Sequence, residues 1–217
     1  MLNEGRAGLT MLSDGTIAPA RLSRLGALTT GDAQGKYYEQ TSRGNVFSLV
    51  LGLVTTTPVA GQLNAAAAAG LTQFCLWNPT GSGKNLSLLK FGVSIVSGTL
   101  GASSIYHSWA TAPTNATTVV TPIQCNNIGM AAASVARAAT HASTGVQLAG
   151  NSALAFIRMA DIQFSAGTYA NLATTKAIEY IDGDIVIPPG TMWVPTWTAA
   201  GTSINVSYSV TWEEIPQ

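Results

Sequence analysis

The sequence predicts an all-β protein, an antiparallel sandwich of two sheets preceded by an extended N-terminal arm. Three observations carry that reading. Between Ser203 and Glu213, Ile204, Val206, Tyr208, Val210 and Trp212 alternate with Asn205, Ser207, Ser209, Thr211 and Glu213. This is the period of two expected of a strand with one buried and one solvated face. Short apolar segments separated by Gly, Pro and Asn recur through residues 45–217, as expected of two packed sheets. Residues 1–44 keep neither a helical nor a strand period.

Taken in order, the arm carries Arg6, Arg21, Arg24, Lys36 and Arg43, half of the ten Lys and Arg, among scattered apolar residues such as Leu9, Leu22 and Leu25. Such a segment buries too little surface alone and is expected to order against a partner. Tyr37 and Tyr38, in GKYYEQTSRGN, mark its junction with a body spanning 45–217. The body opens on the apolar run Val46 to Val54, and GQLNAAAAAG (Gly61 to Gly70) suits one short helical turn. Leu71 to Asn78 and Asn85 to Gly98 read as the legs of a hairpin, and Ser104 to Ala110 as a further strand. Residues 111–150 predict long loops with weak strands and a short helix in AAASVARAATHAS. After Ala153 to Ala160 and Ala177 to Ile187 come IVIPPG, MWVPTWT and the alternating strand, which together read as a meander. That final strand must pair with strands made earlier, so the body is expected to close only once its end is in place.

Charged residues make up 9% of the chain, against about a quarter in ordinary soluble domains. No apolar run approaches the roughly 18 residues of a spanning helix, so no membrane is expected as partner. So few charges among so many Ala, Ser, Thr and Gly predict a surface largely covered by other protein. The net charge is zero, yet residues 45–160 hold Lys84, Lys90, Arg137 and Arg158 without an acid, while 161–217 hold six acids against Lys176. That segregation suits attraction between subunits. A basic tract is absent, and nucleic acid is not an expected partner. Cys75 and Cys125 lack metal-binding spacing and read as buried free thiols, with a single disulfide as the alternative. The first residues lack a basic segment followed by an apolar one, which predicts no signal peptide.

Several motifs approach known chemistry. Asn78 to Asn85, NPTGSGKN, comes close to a phosphate-binding loop, but Asn78 stands where the first Gly belongs and Asn85 where a hydroxyl residue belongs. The segment after Lys84 also reads as strand, and the motif needs a helix there. A Gly-rich hairpin loop is the expectation. Asp182-Gly-Asp184 likewise reads as a turn. His107, between Tyr106 and Trp109 in an aromatic strand, is expected to be a hydrogen-bonded structural imidazole. No motif anchors a nucleophile or a metal, so neither enzymatic activity nor a cofactor is predicted. Of the five tryptophans, Trp77 and Trp212 are expected in the core. Trp193 and Trp197, flanking Pro195, are the candidates for an exposed ligand surface.

Three stretches, GDAQGKYYEQTSRGNVFS, WNPTGSGKNLSLLKFGVSIVSGTLG and IPPGTMWVPTWTAAGTSINVSYSVTWEEIP, give the chain the texture of a known class. It resembles virion structural proteins of tailed bacteriophages, in particular capsid decoration (cement) or head-fibre proteins with a jelly-roll body. The resemblance implies a jelly-roll-like sandwich, a homotrimer on the outer capsid surface, the major capsid protein as partner, and attachment by the N-terminal arm. It implies a virion protein made in the host cytoplasm and without enzymatic activity. The competing expectation is a head-fibre or spike module that binds a host-surface glycan.

Overall fold

The computed structural model describes residues 9–11, 17–19, 35–56, 74–112, 123–140, 155–169, 175–197 and 201–217. The chain divides into two compact units, Met1–Glu39 and Gln40–Gln217. In the first, β1 (Leu9–Met11) and β2 (Ile17–Pro19) pair antiparallel, with Leu9 opposite Pro19 and Met11 opposite Ile17. The five-residue α1 (Tyr38–Ser42) follows in sequence. It stops at Gly44, whose φ of 75° is the left-handed conformation that ends helices. The predicted helical turn at 61–70 lies outside the described residues.

The second unit is an antiparallel sandwich. Its strands are β3 (Val46–Thr56), β4 (Phe74–Asn78), β5 (Lys84–Leu100), β6 (Ser103–Thr111), β7 (Gln124–Cys125) and β8 (Arg137–Thr140), followed by β9 (Ala155–Phe164), β10 (Gly167–Tyr169), β11 (Thr175–Tyr180), β12 (Val186–Ile187), β13 (Thr191–Trp197) and β14 (Gly201–Pro216). One sheet runs β10, β5, β14, β3, β7, with β11 and β12 also on β5. Strands β12, β11 and β10 lie end to end along one edge of β5, opposite its residues 86–87, 90–95 and 98–100. The other sheet runs β8, β4, β13, β6, β9.

Strand β14 sits between β3 and β5 and pairs with both over most of its length, so the last strand does close on strands made early. Val206, Tyr208, Val210 and Trp212 are buried along one of its faces. The period of two is realised as read. The two sheets meet through rings: Phe74 on β4 stacks on Tyr208 at 5.4 Å, and Phe91 on β5 meets Trp193 on β13 edge-on at 5.1 Å. Trp197 Nε1 donates to the Tyr208 hydroxyl at 3.0 Å, which satisfies the polar tip of a buried indole.

Three expectations are corrected by the structure. Strands β4 and β5 are not a hairpin, because they lie in different sheets. The final meander is also replaced: β12 pairs with β5 in one sheet, β13 with β4 and β6 in the other, and β14 returns to the first. Alternation tells a strand which side faces the core but not which sheet it joins. Crossing from sheet to sheet at most of the connections gives the jelly-roll-like character. In AAASVARAATHAS, residues 137–140 form β8 against β4 rather than a helix, with Ala138 buried. Tertiary pairing here overrides the helix preference of alanine.

Strand β4 is buried on both faces. Phe74 and Leu76 join the main core, whereas Cys75 and Trp77 pack with Ala110, Met192 and Val194 in a second cluster. Cys75 is buried and Cys125 half-buried, and no disulfide links them. The Gly-rich segment after β4 is a turn between sheets, with Gly81 and Gly83 at φ of 77° and 68°. Asn78 clamps it: its side-chain amide donates to the carbonyls of Lys84 at 2.7 Å and Ile187 at 2.9 Å. The residue that broke the phosphate-loop pattern is thus a structural clamp, and strand β5 begins at Lys84 itself.

Candidate functional site: an apolar cleft beside a buried ion network

Two polar groups from opposite sheets meet inside the sandwich. His107 on β6 points inward, fully buried, and its neighbour across the ladder on β9 is Arg158. Glu179 reaches them from β11. Trp193 Nε1 donates to His107 Nδ1 at 3.0 Å, so Nδ1 is the acceptor and the proton sits on Nε2. Nε2 donates to Glu179 Oε2 at 3.0 Å. Glu179 Oε1 lies 2.8 Å from Arg158 Nη1, and Arg158 Nε lies 3.5 Å from Asp184 Oδ2 in the turn after β11. The imidazole is the structural group expected from sequence. Both ring nitrogens are occupied and out of reach of solvent, so this imidazole is not free to act as a base.

Burial by itself raises the pKa of Glu179, but the His107 hydrogen bond, together with the nearby Arg158 guanidinium, outweighs it and leaves the carboxyl below its ordinary value. The carboxylate therefore stabilises the fold fully above about 4.5, its unfolded value, and that contribution is lost as pH falls through the lower folded value. Glu213 acts in the opposite sense, because burial raises its pKa. Thermal midpoints followed from neutral pH downward are expected to hold until 4.5 and then fall. In Glu179→Gln that acid limb is expected to flatten.

A second ion pair joins the first residue of β5 to the end of β14. Glu214 on β14 takes Lys84 Nζ at 2.9 Å, the Ser134 hydroxyl at 2.6 Å and the Val135 amide at 2.9 Å. Lys84 and Arg158 come from the base-only half of the sequence, and Glu179, Asp184 and Glu214 from the acidic half. Charge segregation expected to join subunits is thus spent, at these residues, within one chain.

Beside the His107 network a cleft of about 440 Å³ opens between the sheets. Trp193, Ile185, Ile187 and Met192 form its buried floor, and Trp109, Ile157, Val186, Pro188, Thr191 and Asp184 its walls and rim. The backbone explains how the rim is raised. The ladder between β6 and β9 shifts register between His107 and Ser108, which leaves Ile157 as the extra residue. Asp182 and Gly183, at φ of 54° and 92°, make the turn that carries Asp184. The Asp182-Gly-Asp184 turn read from sequence is therefore present.

The ligand surface expected at Trp193 and Trp197 is not formed, since these side chains are only 1% and 2% exposed. Each packs inward between the sheets, and each indole N–H is held by a core partner. The exposed tryptophan of the sandwich is Trp109, at 45%. It lies directly opposite Trp193 in the ladder, one strand nearer the β9 edge of the sheet. Sequence offered one signal for this site, the acid turn at 182–184, and none that separated Trp109 from the buried tryptophans.

Of the arm residues singled out, Arg6, Arg21 and Arg24 lie outside the described residues. Lys36 stands over the Tyr37 ring at 5.3 Å. Tyr38 is exposed in α1, and Arg43 follows that helix. Among the described residues no group of three His, Cys, Asp or Glu side chains is arranged to hold a metal ion. Comparison of the chain with protein-family models, with curated proteins and with solved structures gave no match.

Proposed function

We propose that this chain is a virion structural protein, a capsid decoration protein that binds the outer capsid surface as a homotrimer through its N-terminal arm. The observation that carries the reading is the exterior of the sandwich. Although only 9% of residues are charged, large apolar side chains stand in solvent, among them Ile128 at 97%, Val50 at 67% and Tyr180 at 66%. Apolar surface of this kind, without the usual charge, is surface meant to be covered. The compact division after Glu39 supports a separate role for the leading segment. Three arms on one trimer would bind cooperatively, because the first contact raises the effective concentration of the others. Nothing in this role calls for a cofactor, a nucleic acid or a membrane.

The test is removal of residues 1–39. Cutting there keeps Gln40, which accepts from the Asn45 side chain at 3.1 Å. The truncated protein is expected to stay folded and trimeric but to drop from full particle occupancy to background in a co-sedimentation assay. Full occupancy without the arm would sink the proposal. A second reading, a module for a host-surface glycan, would have to use Trp109 instead of Trp193 and Trp197, and a glycan array tests it.

A further inference from the structure

We infer that the cleft between β6, β9, β12 and β13 is a binding site for a lysine side chain presented by a partner protein. Three exposed apolar residues, Trp109, Ile157 and Val186, converge on one concavity whose floor is already packed. Its volume of about 440 Å³ falls in the range of ligand pockets. Among the described residues Asp184 is the one charged residue in its lining, with a side chain 71% exposed. Behind it, the single positive charge of Arg158 faces two carboxylates, Glu179 and Asp184. His107 takes a proton donor on Nδ1 and adds no charge. The cluster is left with one net negative charge, at the mouth of an apolar cleft.

A long aliphatic stem ending in an ammonium matches these walls. The stem lies along Ile157, Val186 and Ile187, and the head is held by the indole of Trp109 and the carboxylate of Asp184. A saccharide fits less well. Its hydroxyls would rest on the same isoleucines and valine, and the Thr191 hydroxyl already donates to the Pro188 carbonyl at 2.7 Å. Hydroxyls buried without partners are costly. An arginine fork needs several acceptors in one plane, whereas an ammonium acts as a point charge. The inference rests on the proposed function only for the partner's identity, the capsid shell.

The full-length protein, without particles, is titrated with Nα-acetyl-lysine methylamide while the amide signals of residues 184–188 and the indole signal of Trp109 are followed by NMR. Saturable binding on the order of millimolar is expected, about tenfold tighter than for the neutral norleucine analogue. Asp184→Asn is expected to erase that difference, and Trp109→Ala to abolish binding of both probes. Asp184 is exposed, so its variant stays folded and keeps the test decisive should Trp109→Ala not fold. Equal binding of the two probes, a lysine preference that survives Asp184→Asn, or preference for a methyl glucoside at these signals overturns the inference. Because no particles are present, failure here leaves the arm-deletion test standing. Failure of that test likewise leaves the lysine site standing.

Discussion

Replacing Glu179 with alanine is expected to lower the free energy of unfolding by about 3–5 kcal/mol, the usual cost of removing one partner from a buried ion pair. The magnitude follows from what the carboxylate holds. It takes the His107 Nε2 proton at 3.0 Å and the Arg158 guanidinium at 2.8 Å, and its own side chain is almost wholly buried. Alanine leaves a guanidinium and a buried imidazole facing a cavity. Glu179 also ties β11 of one sheet to β6 and β9 of the other, so its loss should loosen that edge of the sandwich first. Urea denaturation gives the total, and amide exchange along β9 and β11 shows where the opening begins. Glu179→Gln should cost less, because the amide oxygen still accepts from Nε2. A loss under about 1 kcal/mol for the alanine variant, the range of a surface pair, would show that the network does not hold the sheets together.

Trp193→Ala is expected to cost as much, about 3–5 kcal/mol, through a different mechanism. Its ring stacks on His107 at 5.6 Å and meets Phe91 and Phe74 edge-on at 5.1 and 6.1 Å. Removing it empties the centre of the core and takes away the floor of the cleft. Trp193→Phe separates the two contributions. Most of the packing stays, but His107 Nδ1 loses its donor, and an unsatisfied buried acceptor costs about 1–3 kcal/mol. Trp212 supplies the control. It is as buried as Trp193, yet its indole N–H has no hydrogen-bond partner among the described residues. Trp212→Phe should therefore destabilise less than Trp193→Phe in the same denaturation series, and the reverse order would refute the role given to the His107 bond. Glu179 and Trp193 both act on His107, so their effects should not add.

Much of the architecture is legible in the residues. The alternation from Ile204 to Trp212 specifies a two-faced strand, and β14 is one. The reading of His107 as a held imidazole, of the stretch between Asn78 and Asn85 as a Gly-rich loop with positive φ though not as a hairpin, and of Trp77 and Trp212 as core also matches the structure. Each of these depends on local chemistry: a period, a positive φ, a ring among rings. The candidate site was far less legible. The residues that line it come from β6, β9, β13 and the turn after β11, and no stretch of sequence carries that conjunction.

What the sequence determined by itself was the kind of element, the face each strand buries and the low charge of the exterior, because these follow from the order of side chains along one strand. The tertiary structure alone decided which sheet each strand joins, so β4 with β5 and β13 with β14 are not the neighbours that their short connections suggest. It also decided which tryptophans meet solvent. Trp193 and Trp109 sit opposite one another in the same ladder, and the place of their strands in the sheet, not their immediate sequence, separates them, since β13 is central and β6 lies one strand nearer the β9 edge. Pairing between strands far apart in the chain sets that order, and the same pairing brings Glu179 to His107 across the core.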